Sequence, residues 1–151
     1  MKVSITKTIE TETGHRLTSY AGKCAHLHGH RLVWEVTVTA PKLNRVGFIM
    51  DYTDLKAALE QTVDRLDHAF IMHNKDPIHI KLGLDEGVTR DFLRATNGDS
   101  PRLFIVPFNP TSENIVDWMS SAIIKVLPIG VTLTKIKMWE TSGSYTEWYP
   151  Q

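Results

Sequence analysis

The feature that most restricts the possible folds is a run of alternating residue types that ends at Thr39. Its apolar members share one parity: Leu32, Trp34, Val36 and Val38. Successive side chains of a strand point to opposite faces, so this alternation predicts a β-strand with one buried face. Pro41 closes the strand, since proline cannot donate to a sheet ladder. His28 and His30 precede Leu32 and have the same parity as the apolar residues. Their imidazoles are therefore predicted to lie side by side on the face of the strand that is apolar further along.

Three further segments have the period of a strand. Val3, Ile5 and Ile9 alternate with polar residues and predict a first strand at about residues 3 to 10. The apolar parity of Val131–Glu140 switches between Leu133 and Ile136, which predicts a strand with a β-bulge. Tyr145–Tyr149 is predicted to be the last strand.

Two segments have the period of a helix. From Thr53 the apolar residues recur on one helical face: Leu55, Leu59, Val63 and Leu66. A second helix is predicted to begin near Thr111 or Ser112, either of which suits an N-cap, and to end before Pro128. Its apolar stripe consists of Ile115, Met119, Ile123 and Leu127. Asp54 and Glu113 lie in the first turns, where a negative charge suits the helix dipole.

The order of these elements predicts an α+β fold in one domain spanning residues 1–151. Consecutive strands pair most easily as antiparallel hairpins, with both helices on one face of the sheet. A long excursion at about residues 73–110 interrupts the pattern, with a short helix predicted near Asp85–Ala95. The two open edges of such a sheet favour pairing with another subunit.

Charge and cysteine content exclude several classes of protein. The 151 residues contain 17 basic and 17 acidic side chains, and a formal net charge of zero argues against a nucleic-acid partner. No stretch approaches the roughly 20 apolar residues of a membrane span, and the polar start is not a signal peptide. Cys24 is the one cysteine, which excludes an internal disulfide and favours a cytoplasmic location.

The histidines predict a metal site. Neutral imidazole suits zinc, and catalytic zinc commonly takes three protein ligands and a water molecule. His28 and His30 supply two ligands, and a hairpin would bring His15 beside them as the third. His26 has the same parity and is an alternative ligand. A His-x-His pair alone is also compatible with surface residues or with hydrogen-bonded core residues.

Other candidate groups carry proton chemistry. Cys24 lies four residues before His28, where a thiol beside a metal is a usable base or nucleophile, although a lone cysteine is often an inert buried residue. Asp67 followed by His68 is either a polar helix end or a histidine oriented by a carboxylate for proton transfer. The parity of Glu140 points it inward, which indicates either a salt bridge or a substrate with a guanidine-like N–H edge.

The chain resembles the 6-pyruvoyltetrahydropterin synthase and 6-carboxytetrahydropterin synthase family in five motifs that occur in family order. They are Gly14-His-Arg-Leu17, Cys24-Ala-His-Leu-His-Gly-His30, Leu66-Asp-His68, Pro110-Thr-Ser-Glu-Asn114 and Trp139-Glu-Thr141. The resemblance implies a tunnelling fold, in which a four-stranded antiparallel sheet with two helices on one face oligomerises into a β-barrel. It also implies a homo-oligomer, expected to be a hexamer, with active sites between subunits.

The resemblance assigns roles to the candidate residues. It implies that His15, His28 and His30 bind zinc, and that three residues carry proton transfers: Cys24, Asp67 and His68. It further implies that Glu140 anchors a pterin ring, with Thr111 and Glu113 nearby.

The Cys-x-x-x-His-x-His spacing is similar to that of bacterial 6-carboxytetrahydropterin synthases, which act in queuosine and 7-deazaguanine precursor synthesis. The implied reaction converts 7,8-dihydroneopterin triphosphate to 6-carboxytetrahydropterin, acetaldehyde and triphosphate. The alternatives are a pyruvoyl-type synthase, a dihydroneopterin aldolase, and a zinc-stabilised pterin or purine binding module without turnover. The chain departs from the family at Thr11–Gly14, where an aromatic and small residues are usual, and in the longer 73–110 segment.

Overall fold

The computed structural model describes residues 3–82 and 103–151. Its strands are β1 (Ile5–His15), β2 (His28–Thr39), β3 (Ala69–His73), β4 (Leu103–Val106), β5 (Thr132–Thr141) and β6 (Ser144–Trp148). The helices within these ranges are α1 (Tyr52–Glu60), α2 (Pro77–Leu82) and α3 (Ser112–Val126). All six strands belong to one sheet, in the spatial order β4-β3-β1-β2-β5-β6.

The prediction of a four-stranded antiparallel sheet is wrong for the described residues, because the sheet has six strands and is mixed. The pairs β1–β2, β2–β5 and β5–β6 are antiparallel, as expected, but β3 and β4 extend the sheet with parallel pairing. These two strands have five and four residues and no alternation of apolar and polar side chains, so their sequence carries no clear strand signal. The described part also contains α2 in addition to the two predicted helices.

The first two strands are longer than predicted, and they form one hairpin. β1 continues past residue 10 to His15, and β2 begins at His28, which is the register partner of His15. The predicted bulge in β5 is confirmed. Thr37 pairs with Lys135 while Val38 pairs with Leu133, so Thr134 is the extra residue.

The helix predicted from Thr53 to Leu66 is shorter in the structure. Asp51 caps α1 by accepting a hydrogen bond of 2.7 Å from the backbone N–H of Thr53. The helix ends at Glu60, and a 3-10 turn at Val63–Leu66 buries the remaining two apolar residues of the stripe. The apolar spacing of three or four residues continues through the turn, so the sequence predicts one helix from Thr53 to Leu66.

Helix α3 agrees with its prediction, and both long helices cover the same face of the sheet. Thr111 is its N-cap and accepts from the backbone N–H of Asn114, and the helix ends two residues before Pro128. Side chains of α1, α3 and the inward faces of β2 and β5 form one buried cluster, with Trp34 at 0% exposure. Each fully buried Leu, Ile or Val contributes about 1.5–3 kcal/mol.

The helix predicted near Asp85–Ala95 lies outside the described residues. The described helices include none that is long and apolar enough to cross a membrane.

Candidate functional site

Three histidine side chains converge at the end of the β1–β2 hairpin. His15 ends β1 and pairs in register with His28 at the start of β2, while His30 lies two residues further on the same face. The ring centroids are 4.6 Å apart for His15 and His28, 5.3 Å for His15 and His30, and 5.1 Å for His28 and His30. One nitrogen of each ring lies within 4.8 Å of the others.

The hydrogen bonds of these rings orient them for a cation. Nδ1 of His15 lies 2.8 Å from the carbonyl oxygen of Pro110, and Nδ1 of His28 lies 2.7 Å from that of His26. Carbonyl oxygens only accept, so in both rings Nδ1 donates and Nε2 keeps its lone pair.

The remaining ring nitrogens fit a metal site. The Nε2 atoms of His15, His28 and His30 are buried and make no hydrogen bond to any residue in the described ranges. Buried polar atoms without partners are rare, so three in one place need a common explanation. Three inward lone pairs on imidazole are a donor set that suits zinc with one coordination position left open.

Burial also keeps His15 in the neutral form that a metal requires. Its exposure is 5%, and desolvation lowers the pKa of its imidazole below the ordinary 6.5, with the neighbouring His28 acting in the same direction. The hydrogen bond from His15 to the Pro110 carbonyl and the Glu140 carboxylate oppose this shift.

Glu140 lies beside the Nε2 atoms of the histidine cluster. Its Oε1 is 3.6 Å from Nε2 of His15 and 3.9 Å from Nε2 of His30. The residue also lines an open cleft of about 560 Å³, together with Arg31, Val33, Trp139, Thr141 and Ser142. The predicted inward orientation of the carboxylate is therefore found at the histidine cluster. Arg31 and Val33 alternate with the inward His30 and Leu32, so the cleft opens mainly on the other face of the sheet.

Cys24 belongs to the loop that joins two of the histidines, from the end of β1 to the start of β2. It is half-buried in a 3-10 turn at Lys23–Ala25, and its carbonyl accepts a hydrogen bond of 2.8 Å from the backbone N–H of Leu17. Cys24 is not part of the nitrogen cluster.

Asn109, which was not among the predicted site residues, anchors the loop between β1 and β2. Its side-chain Oδ1 accepts from the Thr18 backbone N–H at 2.8 Å, and its Nδ2 donates to the Thr18 carbonyl at 3.1 Å. This reciprocal pair ties the cysteine loop to the segment that precedes α3. The one available signal was the Asn-Pro dipeptide before the Thr111 cap, which marks a turn but gives no partner.

Asp67 and His68 form a preorganised pair at the edge of β1. Oδ2 of Asp67 accepts a 2.7 Å hydrogen bond from Nδ1 of His68, so the lone pair of that imidazole is on Nε2. The His68 side chain is 78% exposed, and its backbone has a φ of 53°, a left-handed conformation that is unfavourable for residues with a Cβ atom. Within the described residues, Cys24 and His68 make no hydrogen bond to each other.

Thr111 and Glu113 lie at the start of α3, directly after the carbonyl that holds His15. The pKa of the Glu113 carboxyl is lowered by its own backbone N–H and then by the hydroxyl groups of Thr111 and Ser112. The structure thus unites His15, His28, His30 and Glu140, with Thr111 and Glu113 connected to them through Pro110. Cys24 and the Asp67–His68 pair occupy separate positions.

Comparisons with known proteins identify a family and several similar proteins. A family model described as 6-pyruvoyl tetrahydropterin synthase matches residues 4–151. A 6-carboxy-5,6,7,8-tetrahydropterin synthase of Aquifex aeolicus is 32% identical over 168 residues, covering 98% of each protein. A dihydroneopterin monophosphate aldolase of Pyrococcus furiosus is 29% identical over 124 residues, covering 81% of this chain and 79% of that protein. The crystal structure of an uncharacterized protein from Wolinella succinogenes has the same fold, with a TM-score of 0.79, 24% identity and coverage of 100% and 99%.

Proposed function

Since the chain belongs to the 6-pyruvoyl tetrahydropterin synthase family, we propose that it is a zinc-dependent 6-carboxy-5,6,7,8-tetrahydropterin synthase. Its substrate is 7,8-dihydroneopterin triphosphate, and its products are 6-carboxytetrahydropterin, acetaldehyde and triphosphate. The Aquifex aeolicus relative of that name supports the reaction. The single observation that carries the proposal is the convergence of three buried imidazole nitrogens beside Glu140. A cytoplasmic role in queuosine and 7-deazaguanine precursor synthesis follows from the product.

His15, His28 and His30 hold the zinc ion in this proposal. When bound, zinc acts as a Lewis acid that polarises the side-chain hydroxyl groups of the substrate and eases proton removal. The donation of Nδ1 protons to carbonyl oxygens by His15 and His28 supports this assignment, because it fixes the ring orientation and aims Nε2 inward.

Cys24, Asp67 and His68 carry the proton transfers. Half-buried Cys24, in its thiolate form, accepts a proton from one face of the substrate side chain and becomes a thiol, and Nε2 of His68 exchanges a proton at the other face. The carboxylate of Asp67 keeps His68 in the tautomer with an available Nε2 lone pair. Because His68 is 78% exposed and makes no hydrogen bond to Cys24 in the described part of its own chain, we place it in a site completed by another subunit.

Open strand edges support a homo-oligomer, with a hexamer as the family expectation. β6 is a terminal strand of the sheet, and within the described residues β1 pairs on its other side with β3 only from Thr13 to His15. Residues 5–11 of β1 therefore offer backbone donors and acceptors to a second copy. Joining such edges between subunits would close the sheets into a β-barrel.

Glu140, Thr111 and Glu113 bind the pterin ring. A pterin presents adjacent N–H groups, and a carboxylate accepts two such hydrogen bonds at once. The position of Glu140 beside His15 and His30 supports its role as the anchor, and the lowered pKa of Glu113 favours the ionised acceptor form.

Product analysis tests the reaction. Zinc-loaded protein incubated with 7,8-dihydroneopterin triphosphate should release acetaldehyde and 6-carboxytetrahydropterin, and a Cys24→Ala variant with the same zinc content should not. Release of no acetaldehyde by the loaded parent protein rejects the proposal.

A second candidate is an aldolase that cleaves a dihydroneopterin side chain, which is favoured by the similarity to the Pyrococcus furiosus enzyme. This activity would yield glycolaldehyde and would not require the triphosphate. Glycolaldehyde from a dephosphorylated or monophosphorylated substrate, with no acetaldehyde from the triphosphate, would favour the aldolase.

A further inference from the structure

A row of four buried groups connects the core to the turn that carries Asp67 and His68. Nε1 of Trp34 donates to Oγ1 of Thr11 at 3.1 Å, and the Thr11 and Thr13 hydroxyl oxygens are 3.0 Å apart. Oγ1 of Thr13 donates to the carbonyl oxygen of Leu66, also at 3.0 Å. None of the four residues is more than 4% exposed, so these bonds are shielded from water.

The bonds run in one direction. The indole N–H of Trp34 only donates, and the Leu66 carbonyl only accepts. Each threonine hydroxyl has one proton, and that of Thr13 is given to Leu66. Thr13 must therefore accept from Thr11, and Thr11 accepts from Trp34. Hydrogen bonds in such a row polarise one another, and each threonine hydroxyl uses both its donor and its acceptor function.

This row of hydrogen bonds ends next to the Asp67–His68 pair. Leu66 directly precedes Asp67, and β1 makes two more bonds to this turn at Glu12. The Glu12 backbone N–H donates to Oδ1 of Asp67 at 2.8 Å, and the His68 backbone N–H donates to the Glu12 carbonyl at 2.7 Å. The left-handed backbone of His68, with its φ of 53°, persists only where the surrounding structure holds it, and these three bonds contribute to that hold.

We infer that Thr13 is a positioning residue for the Asp67–His68 pair, and that Trp34 and Thr11 hold its hydroxyl in place. Thr13 fixes the carbonyl before Asp67, and the Glu12 backbone fixes the Asp67 carboxylate and the His68 amide. The carboxylate in turn holds Nδ1 of the imidazole. The inference rests on the proposed function, in which His68 moves a proton. Thr13 itself does not touch the substrate in this assignment.

Thr13→Val tests the inference, because valine has nearly the shape of threonine but neither accepts from Thr11 nor donates to Leu66. We expect kcat to fall about 10- to 100-fold, the scale of a small misplacement of a catalytic group, with KM and zinc content unchanged. Thr13→Ser keeps the hydroxyl and should restore kcat to within about twofold. Thr62→Val is the matched control, since it removes a buried hydroxyl whose hydrogen bonds go to the Ala58 and Leu59 carbonyls and not to β1 or the pair.

A double mutant separates positioning from general loss of structure. If Thr13 acts through His68, adding Thr13→Val to His68→Ala should cause no further loss of kcat. An unchanged kcat in Thr13→Val alone, or an equal loss in both backgrounds, would overturn the inference.

Hydrogen exchange provides a readout that does not depend on turnover. The His68 amide should exchange faster in Thr13→Val than in the parent and in Thr62→Val, because its turn is held less firmly. Unchanged exchange of this amide counts against the inference. A parent protein that exchanges as expected but turns over no pterin substrate would instead reject the proposed function.

Discussion

The Oε1 atom of Glu140 lies 3.6 Å from the Nε2 atom of His15, so an acidic side chain from β5 meets the histidine that ends β1. The two strands are not neighbours, and β2 lies between them in the sheet. Register explains the contact, because Trp139 pairs with Val33 of β2, and Glu140 follows with its side chain on the inner face. The carboxylate is therefore available to a molecule bound at the histidines.

Glu140→Gln tests the role of this charge with little change in shape. We expect kcat/KM to fall about 10- to 100-fold, the value of a hydrogen bond to a charged group, while zinc remains bound. Glu60→Gln, which alters an exposed pair with Lys56, is the control and should leave kcat/KM unchanged. Equal kcat/KM in Glu140→Gln and the parent would remove Glu140 from the site.

Mixed oligomers test whether sites are shared between subunits. Cys24→Ala and His68→Ala should each lose at least about 100-fold in kcat, since each removes a proton-transfer group. Refolding equal amounts of the two inactive variants together should restore activity to about a quarter of the sites. Each site needs Cys24 from one subunit and His68 from another, and half of the subunits carry each intact residue. Absence of any recovery would mean that Cys24 and His68 act within one chain.

Asn109→Ala should loosen the loop that carries Cys24. The variant loses both bonds between the Asn109 side chain and the Thr18 backbone, and half-buried Cys24 should then react faster with iodoacetamide. Asn44→Ala, which removes hydrogen bonds within a different loop, is the control. Equal alkylation rates in the parent and Asn109→Ala would show that Asn109 does not hold the cysteine loop.

The pKa of Glu113 predicts a pH-dependent contribution to stability. Its folded pKa is below the ordinary 4.5, so the unfolded chain binds the proton more tightly. The stabilisation is therefore present above pH 4.5 and is lost as the pH falls through the lower, folded pKa. Its size is on the order of a few tenths of a kcal/mol, because the carboxylate is largely exposed.

Urea unfolding of Glu113→Gln measures this contribution. The difference in free energy of unfolding between parent and variant should be larger at about pH 6 than at about pH 3. A difference of the same size at both pH values would contradict the assignment.

The local patterns in the sequence were sufficient for much of the fold. The alternation in β2, the parity switch in β5 and the Thr111 cap each depend on neighbours within a few residues, and all three predictions agree with the structure. The short strands β3 and β4 depend instead on parallel pairing with distant segments. Neither propensity nor periodicity records such pairing, so these strands were missed.

The same distinction holds for the candidate site. His15 and His28 were predicted to meet because a hairpin brings its two ends together, and they are register partners. The proximity of Glu140 to His15 could not be predicted, since it depends on the register of β5 against β2 and on the irregular pairing beside Trp139. The bond from the Thr18 N–H to Asn109 joins residues 91 positions apart, and the Asn-Pro dipeptide indicates a turn there but not this partner.

Metal analysis of purified protein and of His28→Ala tests the central claim most directly. The parent should contain about one zinc ion per chain, and His28→Ala should lose it, because two imidazoles no longer suffice. His26→Ala, which removes an exposed imidazole but keeps the backbone carbonyl that orients His28, should retain it. Zinc content that is negligible in the parent, or equal in the parent and His28→Ala, would contradict the claim that His15, His28 and His30 form a metal site.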